Sequence, residues 1–465
     1  MNDYKTPGVY IEEIPKLPPS IASVETAIPA FIGYTEKAQL KEPGDLTLKP
    51  KRITSMLEYE VLFGGPQPET TIEVTIDTSQ ANKIDVQGKV ITPSPYLMYY
   101  SMQMFFINGG GPCYITSVGD YSGGGVISDG DLSDGLSEIA KEDEVTLIVF
   151  PDGLNMSDGG NYYALYKEAM DQCADLKDRF AVMDVWIDPD TTVDNIKTLR
   201  DFDFGNTDTL KYAAVYYPKI FTRRDYFYNN EALVTIVGKG DASLSGTLTE
   251  LKGKNNAFYF MVKNEITNIE MLLPASSAVV GKYAAVDNAR GVWKAPANVG
   301  IDFAIKPAIN ITHNAQASLN VDTLAGKSIN VIRSFPGRGA AIIWGARTLA
   351  GNDNEWRYVP VRRFFNMVEE SVKNATQQFV FEPNDRNTWV RVKSMIENYL
   401  TQQWKSGALM GANTKEAFFI HVGLGETMTE LDIFEGRMIV EIGMAVVRPA
   451  EFIILRFMHK MLVES

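Results

Sequence analysis

The sequence predicts a multi-domain protein of mixed α+β and α/β class. The chain has 465 residues, more than one hydrophobic core usually covers, so two or three domains are expected. Segments with strand and helix patterns alternate through the middle of the chain, which is typical of an α/β unit. Helices followed by β-prone segments near the C-terminus indicate an additional α+β region. The 45% of hydrophobic residues suffice for a packed core and exclude global disorder.

Residues 1–19 are predicted to form an extended N-terminal arm. The run Val9-Tyr10-Ile11 is β-prone. Four prolines exclude a helix and disfavour a central strand: Pro7, Pro15, Pro18 and Pro19. Such a segment has too little apolar surface to fold on its own, so it either frays or lies along another surface.

Residues 20–120 are predicted to be the first part of the folded body. Apolar runs and glycine stops predict strands at 30–34 and 113–116, and helices at 55–63 and 96–108. Alternating residues between 68 and 95 predict a hairpin.

Residues 121–330 are predicted to form a middle α/β domain. The pattern predicts strands at 145–150, 180–186 and 213–217, and helices at 161–177 and 193–199. The stretch 221–273 is predicted to be β-rich, with strands at 233–237 and 258–262.

Residues 331–465 are predicted to form a C-terminal domain with two helices, 364–378 and 387–404. In the second helix one face is apolar at helical spacing: Trp389, Val392, Ile396, Tyr399, Leu400 and Trp404. Asn384 or Asp385 can cap its start, and Gly407 its end. Strands are predicted at 438–442 and 452–457, separated by Arg448-Pro449.

The charge pattern separates an acidic region from a basic one. The net charge of −14 argues against nucleic acid as a partner, because phosphate binding requires clustered Lys and Arg. The segment from Asp120 to Asp158 contains ten acidic residues and a single basic one, Lys141, which predicts a solvated acidic surface. A basic region can meet an acidic neighbour, although it is also typical of an exposed face: Arg333, Arg338, Arg347, Arg357, Arg362 and Arg363.

Cellular location is indicated by what the sequence lacks. Cys113 and Cys173 are too few for a disulfide framework and are expected to stay reduced, as small buried groups. No secretory signal or bilayer-spanning run is recognisable, so synthesis in the cytoplasm without membrane insertion is expected.

No catalytic, metal or cofactor site is predicted. Gly326-Lys327-Ser328 resembles the end of a phosphate-binding loop, but Val321 stands where the first glycine is required. Gly337-Arg338-Gly339 lacks the third glycine of a dinucleotide fingerprint. The three histidines, His313, His421 and His459, have no metal-binding spacing. A site assembled from distant residues stays an alternative.

Several blocks, in order, are closely similar to contractile tail sheath proteins of phages and extracellular injection systems. The blocks lie at 7–13, 105–110, 291–298, 344–349, 356–363, 381–384, 407–409, 427–429 and 447–452. They cover both ends and the last third of the chain, which makes the resemblance specific. Two stretches depart from the compact family pattern and resemble insertions on the outer surface, 68–92 and 223–270.

The resemblance implies a tail-sheath fold, with an inner domain built from the N- and C-terminal segments and outer middle domains. It implies hexameric rings that stack around an inner tube and contract, with baseplate and terminal cap proteins as further partners and no cofactor. The particle would be a virion tail or a released contractile particle.

The resemblance also implies roles for the two chain ends. Terminal arms would add strands to neighbouring subunits. This role falls on Val9, Tyr10, Ile11, Phe452, Ile453, Ile454, Leu455 and Phe457. Arg391 and Lys393, on the polar face of helix 387–404, are candidate contacts to the tube.

Two other classes of protein remain as alternatives. A static shell or surface-layer subunit would share the strand-exchange arms but have one lattice geometry. A soluble α/β enzyme would be a small oligomer with a concave polar pocket.

Overall fold

The structure, a computed structural model, describes residues 21–80, 83–190 and 192–456. The chain divides into two compact units. The larger comprises residues 25–367 and the segment from Arg448 onwards, and the smaller comprises 368–447 with the residues up to Val24. Residues 331–367 therefore lie in the larger unit, with the segments of the predicted middle domain. The predicted arm, 1–19, lies outside the described residues.

Eighteen strands lie in the described part of the chain. They are β1 Pro29–Tyr34, β2 Lys51–Ile53, β3 Ile72–Asp77, β4 Asp85–Val90, β5 Cys113–Gly119, β6 Leu147–Val149, β7 Phe180–Asp184, β8 Ala213–Tyr217, β9 Ile220–Thr222, β10 Thr235–Lys239, β11 Gly246–Thr247, β12 Met271–Leu273, β13 Val299–Gly300, β14 Ala304–Pro307, β15 Asn330–Phe335, β16 Gly339–Ile343, β17 Phe418–His421 and β18 Glu441–Met444.

Fourteen α-helices lie in the same described ranges. They are α1 Met56–Phe63, α2 Met98–Ile107, α3 Asp129–Ile139, α4 Gly159–Leu176, α5 Asn195–Asp201, α6 Thr207–Leu210, α7 Leu248–Lys254, α8 Asn256–Asn268, α9 Ser276–Arg290, α10 His313–Asn320, α11 Val359–Thr376, α12 Arg386–Lys405, α13 Thr414–Ala417 and α14 Glu430–Phe434.

A nine-stranded sheet forms the centre of the larger unit. Its order is β13-β16-β15-β8-β7-β6-β1-β5-β2. The strands from β15 through β5 run parallel, and antiparallel strands complete both edges. The predicted strands at 30–34, 113–116, 145–150, 180–186 and 213–217 all lie in this sheet, so the expected α/β unit is confirmed.

Helices cover both faces of this sheet, as a mainly parallel sheet requires. Successive residues of β1 point to opposite sides: Ile32 packs in the core beneath α3 and α4, whereas Phe31 packs beneath α2 and α9. Both cores consist of aliphatic and aromatic side chains. Cys113 and Cys173 are buried and unpaired, as predicted.

Two buried aspartates follow the carboxyl ends of parallel strands and hold helix N-termini. Asp152 accepts hydrogen bonds from the backbone N–H of Tyr34 (2.7 Å) and of Met98 at the start of α2 (3.0 Å). Asp184 accepts from Ala275 N–H (2.9 Å) and Ser276 N–H (3.2 Å) at the start of α9. Carboxylates cap helices because they satisfy the free N–H groups of the first turn.

The two predicted insertions fold together into one module, which we call the outer module after the location that the resemblance to sheath proteins implies. Strands β3 and β4 from the first insertion join β10 and β11 from the second in a four-stranded sheet, ordered β11-β10-β3-β4. The central pair, β3 and β10, is parallel. Helices α7 and α8 cover one face, and the module has an apolar core of its own, which includes Val74, Ile236 and Val262.

The strand predicted at 258–262 is wrong, because this segment belongs to helix α8. The side chain of Asn255 accepts hydrogen bonds from Ala257 N–H (3.1 Å) and Phe258 N–H (3.2 Å) and so starts the helix. Tyr259, Val262 and Ile266 are buried at helical spacing. Packing on the module's sheet therefore outweighs the β propensity of the aromatic run.

Helix α12 lies in the smaller unit and confirms the helix predicted at 387–404. Asp385 caps it by accepting from Thr388 N–H (2.9 Å). Val392, Ile396 and Tyr399 are buried on its apolar face. The short N-terminal segment of this unit is joined to α12 by a hydrogen bond of 3.2 Å between the hydroxyls of Ser23 and Tyr399.

Candidate assembly site

The described part of the C-terminal segment leaves apolar side chains in solvent. Phe452, Ile453, Ile454 and Leu455 are 69%, 79%, 78% and 72% exposed. The strand predicted at 452–457 is not formed in residues 452–456, because no neighbouring strand pairs with them. Four consecutive exposed apolar residues are unusual on a solvated surface and mark an interaction site.

Glu451 fastens the root of this segment to the larger unit. Its carboxylate accepts hydrogen bonds from Arg347 Nη2 (2.6 Å) and Nε (3.0 Å to Oε1, 3.1 Å to Oε2). Asn320 Nδ2 donates to Oε1 (2.7 Å), and the Tyr358 hydroxyl donates to Oε2 (3.2 Å). Arg448, three positions before Glu451, donates a hydrogen bond to the carbonyl of Asn354 (2.7 Å). The segment therefore leaves the body from a fixed point.

The charge state of Glu451 is maintained by these partners. Burial raises the pKa of the carboxyl, but the hydrogen bonds from Arg347 and Asn320 outweigh burial, and the pKa of Glu451 lies below its usual value. Arg347 is 4% exposed, and it also donates to the carbonyls of Asn320 and Gly351 (both 3.3 Å). A buried, multiply bonded arginine is a rigid partner for a carboxylate.

Strands β17 and β18 of the smaller unit form an antiparallel two-stranded sheet. In the described chain this sheet has no third strand, although residues 408–410 pair with the continuation of β18 at 445–447 through Met410 N–H to the Ala445 carbonyl (2.7 Å) and Val447 N–H to the Ala408 carbonyl (3.1 Å). The edges along β17 and β18 themselves therefore have no described strand beside them. Phe419 lies opposite Gly443, and its ring covers the glycine so closely that a Cβ atom there would lie 2.1 Å from the ring. A strand that has no neighbour along its edge can accept a strand from another molecule.

The two predicted tube contacts lie on α12 in different surroundings. Arg391 is exposed, stacks 5.2 Å from the ring centre of Phe379, and lies 3.6 Å from the carboxylate of Glu382. Lys393 is half-buried. A hydrogen bond with His421 lowers the pKa of Glu426, and the nearby charge of Lys393 lowers it further. Arg391 and Lys393 belong to the smaller unit, whereas the C-terminal segment from Arg448 onwards belongs to the larger unit.

The remaining predicted site residues, Val9, Tyr10, Ile11 and Phe457, lie outside the described residues. Sequence reasoning missed the pairing of Arg347 with Glu451. Each residue lies in a block that resembles the sheath family, but 104 positions separate them, and nothing in a single sequence connects such distant positions.

Two groups that could suggest an enzyme, Lys327 of the loop-like motif and the buried carboxyl of Asp152, have structural roles. The ammonium group of Lys327 donates hydrogen bonds to the backbone carbonyls of Arg200 (2.7 Å) and Phe202, so it is not available to bind a phosphate. Burial raises the pKa of Asp152 to about 7, but its oxygens cap α2. Within the described ranges, no cluster of three or more His, Cys, Asp or Glu side chains has metal-binding geometry. None of the described helices is both long and apolar enough to cross a membrane.

An anchored apolar extension and a small two-stranded sheet are features typical of a class of protein, the subunits that assemble with other protein molecules. Comparisons with known proteins assign the family. Residues 351–459 match the family described as the phage tail sheath C-terminal domain.

Solved sheaths are similar over nearly the whole chain. The sheath of an extracellular contractile injection system, the PVC sheath complex in the contracted state, is 30% identical, with a TM-score of 0.66 and 99% of each chain covered. The contracted helical sheath of the anti-feeding prophage is 31% identical, with a TM-score of 0.64, covering 98% of this chain and 100% of that one.

A curated tail sheath protein of Burkholderia phage BcepMu is 29% identical over 155 residues, which is 32% of each protein. The chain thus matches about a third of the length of that curated relative. With the near-complete match to solved sheaths, these similarities show that the chain belongs to the contractile tail sheath family. The expected mixed α/β sheath fold is confirmed.

Proposed function

We propose that this chain is the sheath subunit of a contractile injection particle. It polymerises as stacked hexameric rings around an inner tube and contracts to drive that tube through a target envelope. The observation that carries the proposal is the near-complete similarity to sheaths in a contracted state, at 30–31% identity. The particle is a phage tail or a related extracellular machine, with baseplate and terminal cap proteins as further partners. An anti-feeding prophage chain from a baseplate structure is also 30% identical over 98% of this chain.

The C-terminal segment is proposed to be one of the links between subunits. Its exposed residues, Phe452–Leu455, have strong β propensity and belong to no strand of the described chain. Added to an open sheet edge of a neighbouring subunit, such as that of β17 or β18, they would bury both their apolar side chains and their backbone polar groups. The Glu451–Arg347 pair would then hold the donor end of the link while the neighbour holds the strand.

The N-terminal arm is proposed to be a second link, with Val9, Tyr10 and Ile11 as its added strand. Two links per subunit allow bodies to rotate and slide without separating, because each neighbour stays attached through continuous backbone. The free energy of contraction is the sum of small interface changes over many subunits, each on the scale of a few kcal/mol.

The smaller unit is proposed to be the inner, tube-facing domain, and the outer module to lie away from the tube. Arg391 and Lys393 on α12 are then the candidate tube contacts. The contact of Arg391 with Glu382 is exposed and contributes little, since surface ion pairs are worth about 0–1 kcal/mol, so an acidic tube surface can displace it.

Electron microscopy of the purified chain, alone and with its tube protein, tests this function. Long tubes of stacked rings are expected, with a change of helical rise and diameter after the tube is lost or denaturant is added. Tubes of a single fixed geometry under all conditions would contradict contraction and favour a static shell subunit. A monomer or small oligomer at high concentration would contradict the proposal altogether.

A further inference from the structure

A hairpin tip near one edge of the nine-stranded sheet carries two stacked arginines. The guanidinium of Arg333 lies 5.0 Å from the ring centre of Phe335, and that of Arg338 lies 5.6 Å from the same ring and 5.2 Å from the ring of Trp344. The two rings pack with their centres 4.5 Å apart. The aromatic pair is therefore a rigid platform that fixes the position of both positive charges.

Neither arginine forms an ion pair with a carboxylate among the described residues. Arg333 donates Nη1 to the amide oxygen of Gln316 (2.7 Å), while its Nε is buried without a hydrogen-bond partner. Arg338 is exposed and donates to the side chain of Asn298. Neutral amides neither balance the two charges nor occupy all ten N–H donors that two guanidinium groups offer. Such a tip fits a carboxylate-bearing partner.

Carboxylates without a described cation lie near the opposite edge of the same sheet. Helix α3 packs over β5 and β1, the second and third strands counted from the edge strand β2. Strands β16 and β15 are the second and third strands counted from the other edge, which begins with β13. Asp134 is exposed on α3, Asp129 is exposed at its first position, and Asp143 is exposed four residues beyond its end at Ile139. None of these three carboxylates takes part in a described ion pair, unlike Glu138, which pairs with Lys141.

This placement of charge suits head-to-tail association of identical subunits. A heterologous contact, which closes into rings or continues as a helix, requires two different and complementary surfaces on each copy. A basic tip and an acidic helix near opposite edges of one sheet satisfy this requirement. A nucleic acid is disfavoured as the occupant of the tip, because the net charge of −14 repels a polyanion.

We propose that the Arg333–Arg338 tip of one copy docks against the α3 carboxylates, Asp134 foremost, of a second copy. The inference rests on the proposed function, since it assigns one contact within the assembly. It concerns charge contacts between folded bodies and does not depend on the terminal arms. Complementary charge of this kind selects the register of neighbours and speeds their association.

Charge reversal at the two surfaces tests this contact. Arg338→Glu places a negative tip against α3, and Asp134→Lys places a positive helix against the tip. Each variant alone should raise the critical concentration for assembly about tenfold. The double variant should restore assembly, because its negative tip meets a positive helix on the next copy. An equimolar mixture of the two single variants should also restore assembly, because opposite charges meet at every contact when the two variants alternate. Lys239→Glu, an exposed change of the same sign on the outer module, is the matched control and should assemble normally.

Sedimentation and electron microscopy measure the assembled fraction, and circular dichroism confirms that each variant is folded. Normal assembly of Arg338→Glu would overturn the inference. Impaired assembly of Arg338→Glu without rescue by Asp134→Lys would also overturn it, because the tip would then serve another partner. Failure of the unaltered chain to polymerise would instead refute the proposed function, so the two failures are distinguishable.

Discussion

The carboxylate of Glu451 and the guanidinium of Arg347 form the junction between the folded body and the C-terminal segment. The shortest of their contacts is 2.6 Å, and the arginine is 4% exposed while the glutamate is 21% exposed. Immediately beyond Glu451 the chain turns from buried polar contacts to exposed apolar side chains. The pair therefore sets where the extension starts, which gives a local ion pair a role in long-range assembly.

Replacing Glu451 with Gln is expected to weaken both the body and the assembly. Arg347 would stay buried with its charge unbalanced, which should lower the free energy of unfolding by about 2–4 kcal/mol. The freed segment should be cleaved faster by chymotrypsin after Phe452, and the assembled fraction should fall. Urea unfolding, limited proteolysis and sedimentation measure these three effects.

Glu355→Gln is the matched control for this change. Glu355 is exposed and takes part in no ion pair among the described residues. Its substitution should change the free energy of unfolding by less than about 0.5 kcal/mol. Equal behaviour of the two variants would show that the Arg347 pairing has no special role.

The double substitution Phe452→Ser with Ile454→Ser is expected to separate folding from assembly. Both side chains are exposed in the single chain, so the free energy of unfolding should change by less than about 0.5 kcal/mol. Assembly should be lost, because the added strand would no longer bury apolar surface in a neighbour. Leu324→Ser removes a 96% exposed leucine and serves as the control. Normal tubes from the double variant would refute the strand-donor role.

The central sheet was predictable from sequence because its signals are local. A buried parallel strand such as β1 is a short apolar run, and helix α2 ends before glycines, so both could be located without tertiary information. The run Phe258–Val262 could not, since its aromatic residues suit either structure. Its conformation depends on the sheet that α8 covers.

The outer module and the assembly site depended on contacts between distant segments. Pairing of β3 with β10 joins two stretches about 160 residues apart, each of which resembled a separate insertion. The Arg347–Glu451 pair is likewise non-local. Resemblance to the sheath family located both blocks but could not show that they touch, because side-chain partners are fixed by the tertiary fold.

A buried ion pair in the larger unit gives a prediction about stability alone. Arg363 Nη2 lies 2.6 Å from Asp287 Oδ2 and 3.0 Å from the carbonyl of Thr26, and its guanidinium stacks 4.6 Å from the ring centre of Tyr283. Asp287→Asn leaves this buried guanidinium without a counter-charge. The free energy of unfolding should fall by about 3–5 kcal/mol in urea unfolding.

Glu382→Gln is the corresponding change in an exposed pair, since Glu382 lies 3.6 Å from Arg391 at the surface of α12. Solvent screens such pairs, so the change should cost less than about 1 kcal/mol. If Asp287→Asn were no more costly than Glu382→Gln, the buried pair would not be the stabilising contact that its geometry indicates.

Glu69, at the root of the outer module, predicts a pH dependence of stability. Its backbone N–H donates to the carbonyl of Phe227 (2.7 Å), and its carboxyl accepts from Ser94 N–H (3.1 and 3.2 Å) with no cation paired to it among the described residues. Burial raises the pKa of Glu69 to about 7, although the hydrogen bond from Ser94 opposes the shift. The folded chain thus retains a proton that the unfolded chain loses near pH 4.3, the usual pKa of a glutamate.

The sign of this effect follows from proton linkage. The stabilising contribution of protonated Glu69 is complete below about pH 4.3 and is lost as the pH rises through about 7, because only the folded state holds the proton in between. Glu69→Gln stays neutral at all pH values, so its free energy of unfolding should decline less between pH 4.5 and 8, by about 1–2 kcal/mol relative to the unaltered chain. Glu42→Gln, at an exposed carboxylate, should retain the full decline. Parallel pH profiles for Glu69→Gln and the unaltered chain would mean that Glu69 is already ionised in the folded protein, and that the root of the module tolerates a buried charge.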